Sequence, residues 1–128
     1  MAEGKKDQKR NSVRLEVVLP VKYRRYTGNP VFNSNFNVGR THDISIGGVK
    51  ISVSTPIAIG TKLDMEIELS DEIKPYAVGK VIGGEEKVID GISHRVEKIS
   101  FLEMDSESQD MMMKYIFDNL RKEGRKDR

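Results

Sequence analysis

Two short constellations in this 128-residue chain carry side chains suited to recognition chemistry. One is Arg10-Asn11-Ser12-Val13-Arg14, an Arg-x-x-x-Arg spacing. The other is Asp43-Ile44-Ser45-Ile46-Gly47-Gly48, an Asp-x-Ser-x-x-Gly spacing. A guanidinium makes forked bonds to guanine O6 and N7, pairs with phosphate and stacks flat on a base. A carboxylate accepts hydrogen bonds from the N1–H and exocyclic amine that guanine presents side by side. In extended backbone Asp43 and Ser45 leave one face about 6.6 Å apart. Gly47 and Gly48 permit positive φ and leave the backbone open to a ligand. A ligand carrying both guanine edges and phosphates would engage both motifs. Each motif also has a plainer reading, a solvated basic lead-in for the first and an Asx-type turn for the second.

Elements that could position these groups follow from periodicity. Leu15, Val17, Leu19, Val21 and Tyr23 alternate with Glu16, Val18, Pro20 and Lys22, which predicts a strand with an edge or bulge at Pro20. Thr27-Gly28-Asn29-Pro30 is turn chemistry. Further strands are expected over 37–45, 49–53, 63–69, 76–82 and 94–102, with breaks at Gly47-Gly48, Pro56 to Gly60 and Gly83-Gly84. Val96 and Phe101 fall on opposite parities, which a bulge or a change of face would explain. Short strands with one apolar face imply an antiparallel barrel or sandwich. From 106 to 122 the period changes to that of an amphipathic helix, with Ser106 as N-cap, Gln109 at N3 and Gly124 as C′. Met113, Ile116, Phe117 and Leu120 form its expected apolar stripe. Met111 to Met113 read as core and surface filler, with a protein contact as the alternative.

The length fits one domain, here 10–122, between a basic arm at 1–9 and a basic tail at 123–128. Net charge is only +2, yet residues 1–14 and 121–128 each carry five basic and two acidic side chains. The body between them holds twelve basic and sixteen acidic residues, so no broad basic face for DNA is expected. Zero cysteines excludes disulfides, thiolate metal sites and cysteine nucleophiles. With no apolar run near the ~20 residues of a membrane span and no signal peptide, a cytoplasmic protein without membrane insertion is expected. His42 and His94 are the only histidines and lie in no metal spacing; His42 and Asp43, adjacent in a strand, should face opposite ways. Catalysis, a metal and a cofactor are therefore not expected. A small RNA-binding barrel is the main rival, but the four Tyr and four Phe are scattered rather than gathered on one face.

From about Lys9 to Leu120 the chain resembles the PilZ domain family, bacterial receptors for cyclic di-GMP. The resemblance rests on Arg10 and Arg14, on Asp43-Ile44-Ser45-Ile46-Gly47-Gly48, on the later strands and on the terminal helix. It implies an all-β fold, a six-stranded antiparallel barrel with a C-terminal helix. It implies that Arg10 and Arg14 clamp guanine and phosphate groups, with Asp43, Ser45 and Gly48 lining the opposite side and Gly47 beside them. The chain departs from the family's pattern at Lys9, where many members carry arginine, and at Lys98, where glycine is common; Lys9, Gly47 and Lys98 are the secondary candidates for ligand contact. The expected function is a non-catalytic receptor whose arm folds over the ligand and signals to an output protein. A domain working only through protein contacts stays open, as does a homodimer.

Overall fold

The computed structural model describes residues 13–126, with side chains through residue 122. Its elements are β1 (Arg14–Glu16), β2 (Pro20–Arg25), β3 (Asn37–Ser45), β4 (Gly48–Val53), β5 (Lys62–Ile67), β6 (Tyr76–Ile89), β7 (Ile92–Glu103) and α1 (Ser106–Lys126). Every strand pairing is antiparallel. In the order β3–β2–β5–β6–β7–β4 the strands lie side by side, and β4 pairs back onto β3 to close a six-stranded barrel. β1 is a seventh strand on the same edge of β3 as β2. Closure leaves the barrel no free edge and gives the strands one shared interior. Val21, Ile44, Ile51, Met65, Ile67, Val81 and Ile99 fill it, all fully buried.

The alternating run from Leu15 to Tyr23, expected as one strand, is two. Thr41 Oγ1 accepts a hydrogen bond from Leu19 N–H (2.9 Å) and donates to the Val17 carbonyl (2.5 Å), so a side chain shares the gap with two backbone bonds, Val17 N–H to the His42 carbonyl (3.3 Å) and Thr41 N–H to the Leu19 carbonyl (2.9 Å). Pro20, which has no N–H to give, opens β2. Opposite the gap β3 bulges: Thr41 pairs with Ile51 and Asp43 with Lys50, leaving His42 as the extra residue. Thr41 and Ile44 both point inward, so His42 and Asp43 are both turned outward. The bulge thus corrects the expectation that these neighbours face opposite ways.

Gly83-Gly84 does not end the fifth barrel strand as expected. β6 runs through both glycines to Ile89, with a register shift between Val81 and Gly83 that leaves Ile82 unpaired and exposed. The chain reverses instead at Asp90-Gly91, where φ is +53° and +79°. Two consecutive positive φ values make the twist of a tight hairpin, and Asp-Gly is a favoured pair for it. In β7 no extra residue separates Val96 from Phe101; they lie on opposite faces, with Val96 beside Ser52.

α1 packs against β1 and β3. Asp105, rather than Ser106, is its N-cap: Asp105 Oδ1 accepts Ser108 N–H at 2.7 Å, and its carbonyl accepts Gln109 N–H at 2.9 Å. The buried stripe moves correspondingly to Ser108, Met112 and Ile116, while Met113 and Phe117 are each 40% exposed. The helix continues through Gly124 to Lys126, so Gly124 is not its C′ residue.

Candidate functional site

Where β1 meets the end of β3, a cleft of about 250 Å³ opens on the barrel's outer face. Arg14, Asp43, Ser45, Gly47, Gly48, Lys50, Ile82 and Lys98 are among its lining residues. Arg14 opens β1 directly opposite Ser45 in the ladder. From there its Nη1 donates diagonally to Asp43 Oδ1 at 3.5 Å, with side-chain exposures of 41% and 17%. A pair this long and this wet is held weakly, so either partner is free to exchange it for a ligand group.

Ser45 is buried, and both bonding directions of its hydroxyl are occupied by the turn. Oγ accepts Gly48 N–H at 3.1 Å and donates to the Gly48 carbonyl at 3.2 Å. Its side chain therefore shapes the β3–β4 turn, where the plainer reading of the motif had an Asx-type turn; Asp43 instead meets Arg14. Neither Gly47 nor Gly48 takes a positive φ. Gly48 is required for a different reason: a Cβ there would strike the Ile99 carbonyl oxygen of β7. The Gly47 carbonyl accepts Phe101 N–H at 2.9 Å, tying the turn to that strand. Gly48 thus sets the cleft's floor by close backbone approach, and Gly47 by its bond to β7.

Lys98 lines the same cleft, and Lys50, not singled out in the sequence, stands directly opposite it in the β4–β7 ladder. Lys9 and Arg10 lie outside the described residues. Beside Asp43, His42 Nε2 meets Ser52 Oγ at 2.6 Å. Burial lowers the His42 pKa, Lys87 lowers it further, Asp43 opposes them, and His94 and Lys50 add to the depression. Three cationic side chains, Arg14, Lys50 and Lys98, and one carboxylate, Asp43, line the cleft.

A second polar constellation escaped the sequence reading. Asp64, an outward residue of β5, is fully buried because the β2–β3 connection folds over it. Its carboxylate accepts from Thr27 N–H (2.9 Å), Thr27 Oγ1 (2.6 Å), Tyr76 OH (2.5 Å) and Arg24 Nε (3.1 Å). Burial pushes its pKa up, but the bonds from Thr27, Tyr76 and Arg24 outweigh it and hold the carboxyl below its ordinary value. Burial and the Asp64 partner raise the Tyr76 phenol. Phe32 covers the assembly, its ring 4.3 Å from the Arg24 guanidinium and 6.5 Å from Tyr76. Its two oxygens are shared among the loop at Thr27 and Gly28, Arg24 of β2 and Tyr76 of β6, so Asp64 latches the loop to two strands; no local motif marks it, since its partners lie 12 to 40 residues away. Among the described residues no group of three His, Asp or Glu side chains could hold a metal, and no helix is long and apolar enough to cross a membrane.

Similar folds occur in solved structures. The PilZ domain of YcgR from Escherichia coli, determined with c-di-GMP, superposes with a TM-score of 0.67 at 18% identity, covering 88% of this chain and 92% of that one. The MrkH–c-di-GMP complex of K. pneumonia gives 0.72 at 17%, covering 88% and 53%. The Bacillus subtilis inhibitor of motility, MotI/DgrA, gives 0.70 at 16%, covering 86% and 50%. The chain thus spans about half the length of MrkH and MotI. No curated protein matches it by sequence. The model of the PilZ domain matches residues 8–118, which takes in both motifs, all seven strands and most of α1. On that match the chain belongs to the PilZ domain family.

Proposed function

We propose that this chain is a non-catalytic receptor for cyclic di-GMP, with the ligand seated in the Arg14–Asp43 cleft. The observation that carries the reading is the convergence of these two side chains, 29 residues apart in sequence, on one outer cleft. Asp43 would accept the N1–H and amine of a guanine. Arg14, released from Asp43, would take a phosphate or the guanine O6–N7 edge. Arg10 would close over the ligand from the arm, with Ser45, Gly47 and Gly48 forming the floor. The c-di-GMP complexes of the YcgR PilZ domain and MrkH support this ligand.

A forked arginine–guanine pair contributes roughly 1–3 kcal/mol of discrimination against the wrong base, and each cation–π stack about 0.5–2 kcal/mol. Micromolar affinity needs about 8 kcal/mol in all. On this reading two arginines, a carboxylate and backbone contacts supply it together, net of the cost of ordering the groups that bind. The reading further holds that ordering the arm changes the surface offered to an output protein, in motility, exopolysaccharide, pilus or virulence control. An RNA-binding barrel is less well supported, because Phe32 and Phe36 pack against Arg24 and Lys22 instead of standing free on a strand face. Isothermal titration with cyclic di-GMP, with GMP and GTP as controls, tests the proposal. Saturable binding of the cyclic dinucleotide alone is expected; silence at high micromolar ligand would refute it.

A further inference from the structure

Ladder pairing sets Asp43 of β3, Lys50 of β4, Lys98 of β7 and Gly83 of β6 side by side on the outer face. With strands about 4.8 Å apart, the row extends about 14 Å away from the Arg14–Asp43 pair. Lys50 and Lys98 are like charges directly opposed, an arrangement that destabilises a sheet. Among the described residues neither ammonium forms an ion pair. Lys62 and Lys80 are also opposed, but there the Lys62 ammonium sits 4.3 Å over the Tyr26 ring. At the far end of the row a Cβ on Gly83 would meet nothing within 4 Å. Lys50 and Lys98 line both the Arg14–Asp43 cleft and an adjoining hollow of about 280 Å³ over Gly83 and Gly84. The two hollows thus adjoin along Lys50 and Lys98, the two residues that line both. Both acids on their border are already engaged, Asp43 by Arg14 and Glu85 by Lys87 at 3.9 Å.

We propose that Lys50 and Lys98 form an anion subsite that holds a phosphate group of the ligand whose guanine end is seated at Arg14 and Asp43. This deepens the receptor reading and rests on it. A bridging phosphate turns an opposed pair of cations into two charge-assisted contacts, so the repulsion stored in the free protein is relieved on binding. Neutralising either lysine should therefore weaken the complex while stabilising the free protein. A merely structural lysine would not move the two in opposite directions.

The test uses the full chain with Lys50→Met, Lys98→Met and the double variant, which keep the apolar stems, and Lys114→Met on α1 as control. Titrations with cyclic di-GMP at two salt concentrations are paired with thermal melts in the absence and presence of sodium pyrophosphate. Each single variant should bind the dinucleotide about tenfold more weakly with a shallower salt dependence. Each should melt a few degrees higher without ligand. Pyrophosphate should raise the melting temperature of wild type but not of the double variant, and Lys114→Met should behave as wild type. Unchanged affinity and salt dependence in both single variants would overturn the subsite while leaving the receptor reading intact. If wild type takes no cyclic di-GMP, the receptor reading fails and the pyrophosphate melts decide the anion site alone. A shift lost in the double variant upholds it; no shift, or an equal shift in both proteins, overturns it.

Discussion

Arg14 stands opposite Ser45 in the ladder yet reaches past it to Asp43, 3.5 Å away on the same outer face. The reach is possible because Ser45 turns its hydroxyl into the β3–β4 turn and leaves the surface between the two charges clear. With 41% of the arginine side chain exposed, this ion pair contributes little to folding. Arg14→Ala should therefore shift the urea midpoint only slightly, by less than about 0.5 kcal/mol of stability. A large loss of stability would show that the pair is structural.

Gly48 and Gly83 make opposite predictions from the same residue type. A methyl at Gly48 meets the Ile99 carbonyl, and the β4–β7 backbones must part to admit it. Gly48→Ala should cost about 1–3 kcal/mol in chemical denaturation and reduce cyclic di-GMP affinity by moving the cleft floor. Gly83→Ala enters open space and should be neutral or slightly stabilising. Equal behaviour of the two variants would contradict the close approach at Gly48.

The Asp64 latch gives a pH dependence of definite sign. Its carboxyl titrates below the ordinary value of 3.8 in the folded protein. The unfolded state therefore binds the proton first as pH falls. The stabilisation is fully present above pH 3.8 and is lost as pH drops through that value toward the lower folded one. Asp64→Ala should remove this component and destabilise by about 3 kcal/mol, because Arg24 and the Thr27 donors lose their shared acceptor. Urea melts from pH 6 downward check both. A variant as acid-sensitive as wild type would disprove the latch.

On α1 the buried stripe distinguishes neighbouring positions. Ile116 is fully buried and Met112 nearly so, whereas Phe117 and Met113 are 40% exposed. Ile116→Ala should destabilise by about 2–5 kcal/mol. Phe117→Ala should cost under about 1 kcal/mol. The reverse order would place the helix one residue out of register.

That one-residue difference shows where sequence patterning stops. The helix was legible from the change of period after Asp105, but its cap was not, since Asp105 and Ser106 are both good N-caps and only Asp105 bonds Ser108 N–H. The barrel strands were legible because alternation survives over most of their length, broken at His42-Asp43 of β3 and at Ile82 of β6. The interruption between Glu16 and Pro20 was not, because it depends on a side chain of β3, Thr41, bonding the Leu19 N–H and the Val17 carbonyl. The break expected at Gly83-Gly84 lies at Asp90-Gly91, a favoured hairpin pair in its own right. Both site motifs stood out in sequence, and the structure brings Arg14, Asp43, Ser45, Gly47, Gly48 and Lys98 to one cleft. Lys50 was hidden because its placement depends on the β3 bulge and the β4–β7 register.

The most direct test of the receptor reading is isothermal titration of cyclic di-GMP into wild type, Arg14→Ala and Asp43→Ala. The account predicts saturable wild-type binding, weakened by one to two orders of magnitude in each variant while both remain folded. Binding of near wild-type strength in Arg14→Ala and Asp43→Ala, or none in wild type, would contradict it.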